Sequence, residues 1–142
     1  MYAQDYARTY RANSILTASP GQLVLLLFDA ALNSLAIARK ACDESAADPR
    51  KLEVVHAQIM KAQKIIAELQ GTLNLEAGGE FAKTMYRLYD YYDRRLMEAN
   101  LKKQSAPIAE VERLLGEVRN AWSEMLRQQD GAAPQAALHH VA

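Results

Sequence analysis

Between residues 52 and 73 apolar side chains recur at spacings of three and four without a break: Leu52, Val55, Ile59, Ala62, Ile66, Leu69 and Leu73. A row of this period keeps one stripe of an α-helix turned to its neighbours, and the strict alternation is the seam of a left-handed bundle. The chain repeats it at Ile108, Val111, Leu115, Val118, Trp122 and Met125. A third row runs Phe81, Met85, Leu88, Tyr92 and Ala99, with Leu96 or Arg95 at the missing step. The chain has 142 residues, 25 of them Ala and 18 Leu, both strong helix formers. The fold expected is all-α: an antiparallel four-helix bundle with an N-terminal arm or short capping helix.

Proline and glycine set the boundaries. Proline suits the first turn of a helix and disrupts its interior. Ser19-Pro20-Gly21-Gln22 reads as a capping box, with Ser19 as N-cap and Gln22 three residues on. Asp48-Pro49 repeats the logic, and Ser105-Ala106-Pro107 does so more loosely. Gly78-Gly79 ends one helix before Glu80 begins another. The helices expected are 20–46, 49–75, 80–103 and 106–129. Residues 1–18 form an arm, 19–130 the bundle and 131–142 a flexible tail. On the polar face of the third helix, Asp90 and Arg94 are spaced to pair.

Several classes are disfavoured. Seventeen basic and seventeen acidic side chains give zero formal net charge, which argues against a nucleic-acid partner. The single cysteine, Cys42, has no internal disulfide partner. The N-terminus lacks a basic-then-apolar secretion signal, and the run Leu23–Phe28 is far too short to insert in a membrane, so a cytosolic protein is expected. No P-loop, GxGxxG, CxxC or GxSxG motif occurs. Glu53-Val54-Val55-His56 has the Glu-x-x-His spacing of di-iron bundles, but those need it twice, with two further inward glutamates. Leu52 and Val55 hold the seam, leaving Glu53 and His56 beside it. We expect no enzyme activity, no metal and no cofactor.

The apolar residues exceed what a seam needs. Leu23, Val24, Leu25, Leu26, Leu27 and Phe28 cover every side of the first helix, where about three positions in seven suffice. Val54, Ile65 and Met60 add a second row on the second helix; Leu114 and Leu126 do so on the fourth. Three explanations stand open: a central first helix screened by the arm, a homodimer face, or a groove for an apolar helical partner. Tyr2, Tyr6 and Tyr10 are four apart, so a helical arm would carry them on one face. With Ile15 and Leu16, that arm could be a displaceable lid or a permanently docked fifth helix.

At four places the sequence resembles the flagellar secretion chaperone family specific for flagellin. The segments are Tyr10–Pro20 running on to Ala30, Lys61–Leu69, Gly78–Tyr91 followed by Arg95–Asn100, and Val118-Arg-Asn-Ala-Trp122. They cover residues 2–128 in the family's order. Phe28 and Ala30 stand where many members have tyrosine and glycine, and Tyr92 where methionine is frequent. The resemblance implies a chaperone in the cytosol whose client is the disordered C-terminal segment of flagellin. That segment would fold into helices around the bundle, which would prevent premature polymerisation. The flagellar export gate is a second implied partner. A structural bundle that dimerises or acts as an adaptor is the alternative. Tyr10 and Ile15 match the arm motif. Leu23, Leu26, Leu27, Val54, Ile65 and Leu114, read as apolar surplus, complete the expected client-binding set. Asp90 and Asn100 match family positions and are expected to cap or to bond within the bundle.

Overall fold

In the computed structural model, backbone is described for residues 19–141 and side chains for 19–129. The expected arm (1–18) lies outside the described residues, and so do the side chains of the expected tail (131–142). Four helices follow one another: α1 (Pro20–Glu44), α2 (Lys51–Gly71), α3 (Gly79–Lys102) and α4 (Ser105–Val141). No strand occurs among the described residues.

The ends of α1 follow from local chemistry. The Gln22 amide donates to Ser19 Oγ at 3.2 Å and the Ser19 amide to Gln22 Oε1 at 3.3 Å, completing the capping box. The Ser45 hydroxyl donates to Cys42 O at 2.7 Å and closes α1 earlier than expected. Asp48 does not cap α2. Its carboxylate accepts from the Arg50 amide and guanidinium instead, and α2 starts two residues later than expected. Thr72 Oγ1 donates to Leu69 O at 2.6 Å, and α2 ends at Gly71 rather than near residue 75. The turn between α3 and α4 places Lys103 in the left-handed region at φ 52°.

The glycines between α2 and α3 serve different needs. Gly79 has φ +57°, which an L side chain adopts only with strain. Gly78 has an ordinary φ, but a Cβ there would lie 2.5 Å from Ala82 Cβ and 2.7 Å from the carbonyl oxygen of Asn74. We expect Gly78→Ala to lower the unfolding free energy by about 1–3 kcal/mol, read from urea midpoints.

Pairs across the helices fix their directions. Gly21, Asp29 and Arg39 of α1 meet Trp122, Arg119 and Glu112 of α4: Trp122 Nε1 donates to Gly21 O at 2.9 Å, and the two ion pairs close at 2.7 and 2.6 Å. Numbers rise along α1 as they fall along α4, so the two are antiparallel. On α2 and α3 the pairs are His56–Asn100 at 3.0 Å, Gln63–Asp93 at 3.1 Å and Gln70–Asp90 at 2.9 Å, again opposed in direction. Each helix packs on the two beside it around a square. This is the expected bundle. The expected Asp90–Arg94 pair is not among its ion pairs, because Gln70 takes Asp90. Asn100 bonds within the bundle, as expected of it.

Inside lie Phe28 and Leu35 of α1, Ile59 and Leu69 of α2, Tyr92 and Leu96 of α3, and Ile108 and Leu115 of α4. Each contributes roughly 1.5–3 kcal/mol through burial. Leu96 fills the missing step of the third row, while Arg95 turns to Glu98 and Glu110. Phe81 departs from the expected seam. It stands in the first turn of α3, past the last buried residue of α2, and is 67% exposed. Tyr89, absent from the expected row, is buried, and burial pushes its phenol up to about 12.

Between α3 and α4, Glu110 accepts from the Tyr91 hydroxyl at 2.5 Å and from Arg95 Nε at 3.0 Å. The Tyr91 bond first, then Arg95, hold its carboxyl below the ordinary 4.5. Stability from this link is present above that ordinary value and is lost as pH falls through the depressed folded value. Urea midpoints should therefore decline as pH is lowered below about 4.5, and less so in Glu110→Gln.

The flank of α1 opposite its α4 pairs carries Ala31, Ser34, Ala38 and Ala41, spaced three, four and three, all buried. Such small side chains let α1 and α2 approach closely. Ser34 Oγ is fully buried and finds no hydrogen-bond partner. An unsatisfied buried hydroxyl costs more than it returns, so Ser34→Ala should stabilise the bundle by up to about 1 kcal/mol in the same titration.

Candidate binding surface

The close α1–α2 contact leaves two rims outside it. At about 100° per residue, Leu23, Ala30 and Ile37 share one line along α1, and Val54, Lys61 and Glu68 share one along α2. Each line repeats every seven residues and borders the seam. Leu23 is 36% exposed, Ile37 39% and Val54 36%, against full burial of Ala31, Leu35, Ala38 and Val55 beside them. Leu26, 37% exposed, widens the α1 rim. Leu27 and Ile65 are half-buried and pack on the core beneath.

Five of the expected residues (Leu23, Leu26, Leu27, Val54 and Ile65) thus fall along the α1–α2 seam. Leu114 stands apart. It is one turn from Glu110, which bonds α3, so it lies on the α3 side of α4, half-buried. Tyr10 and Ile15 lie outside the described residues. Ile37 was missed by sequence reasoning, though it repeats Leu23 and Ala30 at the same heptad position and could have been found that way.

The first helix is not enclosed by its neighbours. Of the run 23–28 only Phe28 is fully buried; Val24, Leu25 and Leu27 are half-buried. By length and composition α1 could cross a membrane. Asp29 and Arg39, however, both pair with α4 and hold it in the bundle. Glu53 and His56 are exposed, and among the described residues no three His, Cys, Asp or Glu side chains gather as a metal site. Cys42 is buried with Sγ 3.3 Å from Lys103 O, and burial pushes its thiol up.

The other flank of α2 differs. There His56, Gln63 and Gln70 bond Asn100, Asp93 and Asp90 of α3, so polar groups close that seam. Outside it, Met60, Met97 and Leu101 are 42, 51 and 80% exposed. Among the described residues no nucleophile is paired with a base. What the arrangement offers is apolar area in heptad register, the geometry that accepts an amphipathic helix through anchors at i, i+3, i+4 and i+7.

Residues 2–129 match the family model described as flagellar protein FliS. The chain is 34% identical over 129 residues to the flagellar secretion chaperone FliS of Bacillus subtilis, covering 91% of this chain and 92% of that protein. It is 36% identical over 121 residues to the flagellar secretion chaperone FliS of Salmonella typhimurium, covering 84% and 86%. It is 36% identical over 126 residues to the flagellar secretion chaperone FliSB of Pseudomonas aeruginosa, covering 86% and 96%.

Proposed function

The chain belongs to the flagellar protein FliS family, and on that premise we propose that it is a cytosolic export chaperone, not an enzyme, whose client is the disordered C-terminal segment of flagellin. The client folds into helices on the bundle, is kept from polymerising early, and is passed to the flagellar export gate. The observation that carries this reading is the half-exposed apolar rim of Leu23, Leu26, Ile37 and Val54 above a closely packed α1–α2 seam.

Magnitudes decide how far the client must extend. Covering the exposed part of one rim residue is worth roughly 0.5–1 kcal/mol. Four give about 2–4 kcal/mol, no more than the roughly 2–5 kcal/mol needed to order a folding segment. The client therefore reaches past α1–α2, and the outer apolar residues Met60, Met97 and Leu101 of α2 and α3 are available to it. In this reading the arm, through Tyr10 and Ile15, covers or completes the surface.

Calorimetry of the full chain with flagellin, and with flagellin lacking its C-terminal segment, tests the proposal. Binding should be seen with the first and lost with the second. Equal binding to both would overturn it. A sedimentation profile showing a tight dimer that flagellin does not disrupt would favour the homodimer or adaptor reading instead.

A further inference from the structure

The α2 rim carries two charges that the bundle does not use. Lys61 and Glu68 are exposed, and neither has an ion-pair partner among the described residues. They differ from the polar residues on the other flank of α2, which are taken up in bonds to α3. The α1 rim opposite, Leu23, Ala30 and Ile37, is uncharged until Glu44 at the end of the helix, which pairs with Lys51 of α2 at 3.4 Å. Lys61 and Glu68 occupy the heptad position of Val54, seven and fourteen residues on, so one apolar anchor and two opposite charges border the same groove. Seven residues of helix span about 10.5 Å.

Resting on the reading above, we infer that Lys61 and Glu68 are specificity residues: they select a client helix that sets an acidic side chain over Lys61 and a basic one over Glu68, two turns apart. In paired helices, charges flanking an apolar seam fix partner, direction and register more than they add affinity. A client helix laid in the reverse direction puts like charges together at both levels. One slipped by a turn loses both pairs. The apolar rim alone cannot make these distinctions, because Leu23, Ile37 and Val54 accept any apolar anchor that reaches them.

The test uses the full chain, its Lys61→Glu and Glu68→Lys variants, and a peptide of the flagellin C-terminal segment. Binding is followed by stopped flow at low salt and at about 0.5 M, where charges more than a few ångströms apart are screened. At low salt each reversal should weaken binding about three- to tenfold, mainly through slower association. At high salt the difference from wild type should vanish, whereas that of Ile37→Asp should persist. Lys61→Ala and Glu68→Ala should flatten the salt dependence with unchanged circular dichroism, separating a charge effect from misfolding. If wild type binds and both reversals bind within twofold of it at low salt, the inference is overturned and the proposed function stands. If wild type does not bind the peptide, the proposed function falls and the inference with it.

Discussion

Replacing Ile37 with aspartate should weaken capture of the flagellin C-terminal segment by roughly thirtyfold or more while leaving the helical signal of the protein unchanged. Losing the apolar cover of Ile37 costs roughly 0.5–1 kcal/mol and leaving a polar group unpaired under the client a further 1–3 kcal/mol or so, and each 1.4 kcal/mol is tenfold. That second cost arises because aspartate sets a charge where the client must bring an apolar side chain. Ile37 suits the test because more than a third of it is already exposed and it lies outside the buried cluster. Ile65→Asp is the less informative variant, since Ile65 packs on the core and its loss would mix folding with binding. Thermal unfolding checks the separation: the Ile37→Asp midpoint should stay within a few degrees of wild type. Wild-type affinity in a folded Ile37→Asp protein would remove the α1–α2 rim from the binding surface. If the variant does unfold, Ile37→Ser repeats the measurement without a charge.

The bundle was legible because α2 and α4 each keep one apolar row in strict register, and period alone reports which stripe is covered. It failed where a helix runs past its neighbours. Phe81 fits the α3 row in number, yet α2 has already ended at its level, so no neighbouring helix among the described residues covers it. Capping chemistry was legible at Ser19, where both halves of the box lie in adjacent residues. It was misread at Asp48, because a competing donor, Arg50, sits two residues on. Asp90 shows the same limit: spacing places Arg94 within reach, but only the neighbouring helix supplies Gln70. The rim was half legible. The dense run 23–28 is an excess visible in the sequence, but Ile37 stands alone among Ala and Arg, and its exposure depends on where α2 lies. The four small residues that bring α2 there, Ala31, Ser34, Ala38 and Ala41, look like helix propensity until the partner is seen.

Those small residues carry the second large effect. Ala38→Leu should lower the thermal midpoint by about 4–10 °C, the consequence of roughly 1–3 kcal/mol of overpacking in a domain of this size. Ala38 has no exposed surface, and α1 and α2 pack more extensively on each other than any other pair in the bundle. Three added carbons have no void to enter, so α1 is pushed off α2. The rim residues Ile37 and Val54 move apart with it, and a client helix that bridged both now reaches one. Affinity for the flagellin segment should therefore fall although position 38 touches no client. Ala38→Gly separates the causes. It costs about 1 kcal/mol of helix propensity but leaves the helices free to remain close. Its midpoint should drop while its affinity stays near wild type. If Ala38→Gly and Ala38→Leu lose affinity in proportion to stability alone, the spacing of the two helices does not set the binding surface. If only Ala38→Leu loses it, the close α1–α2 seam is what joins two separate rows of apolar side chains into one face.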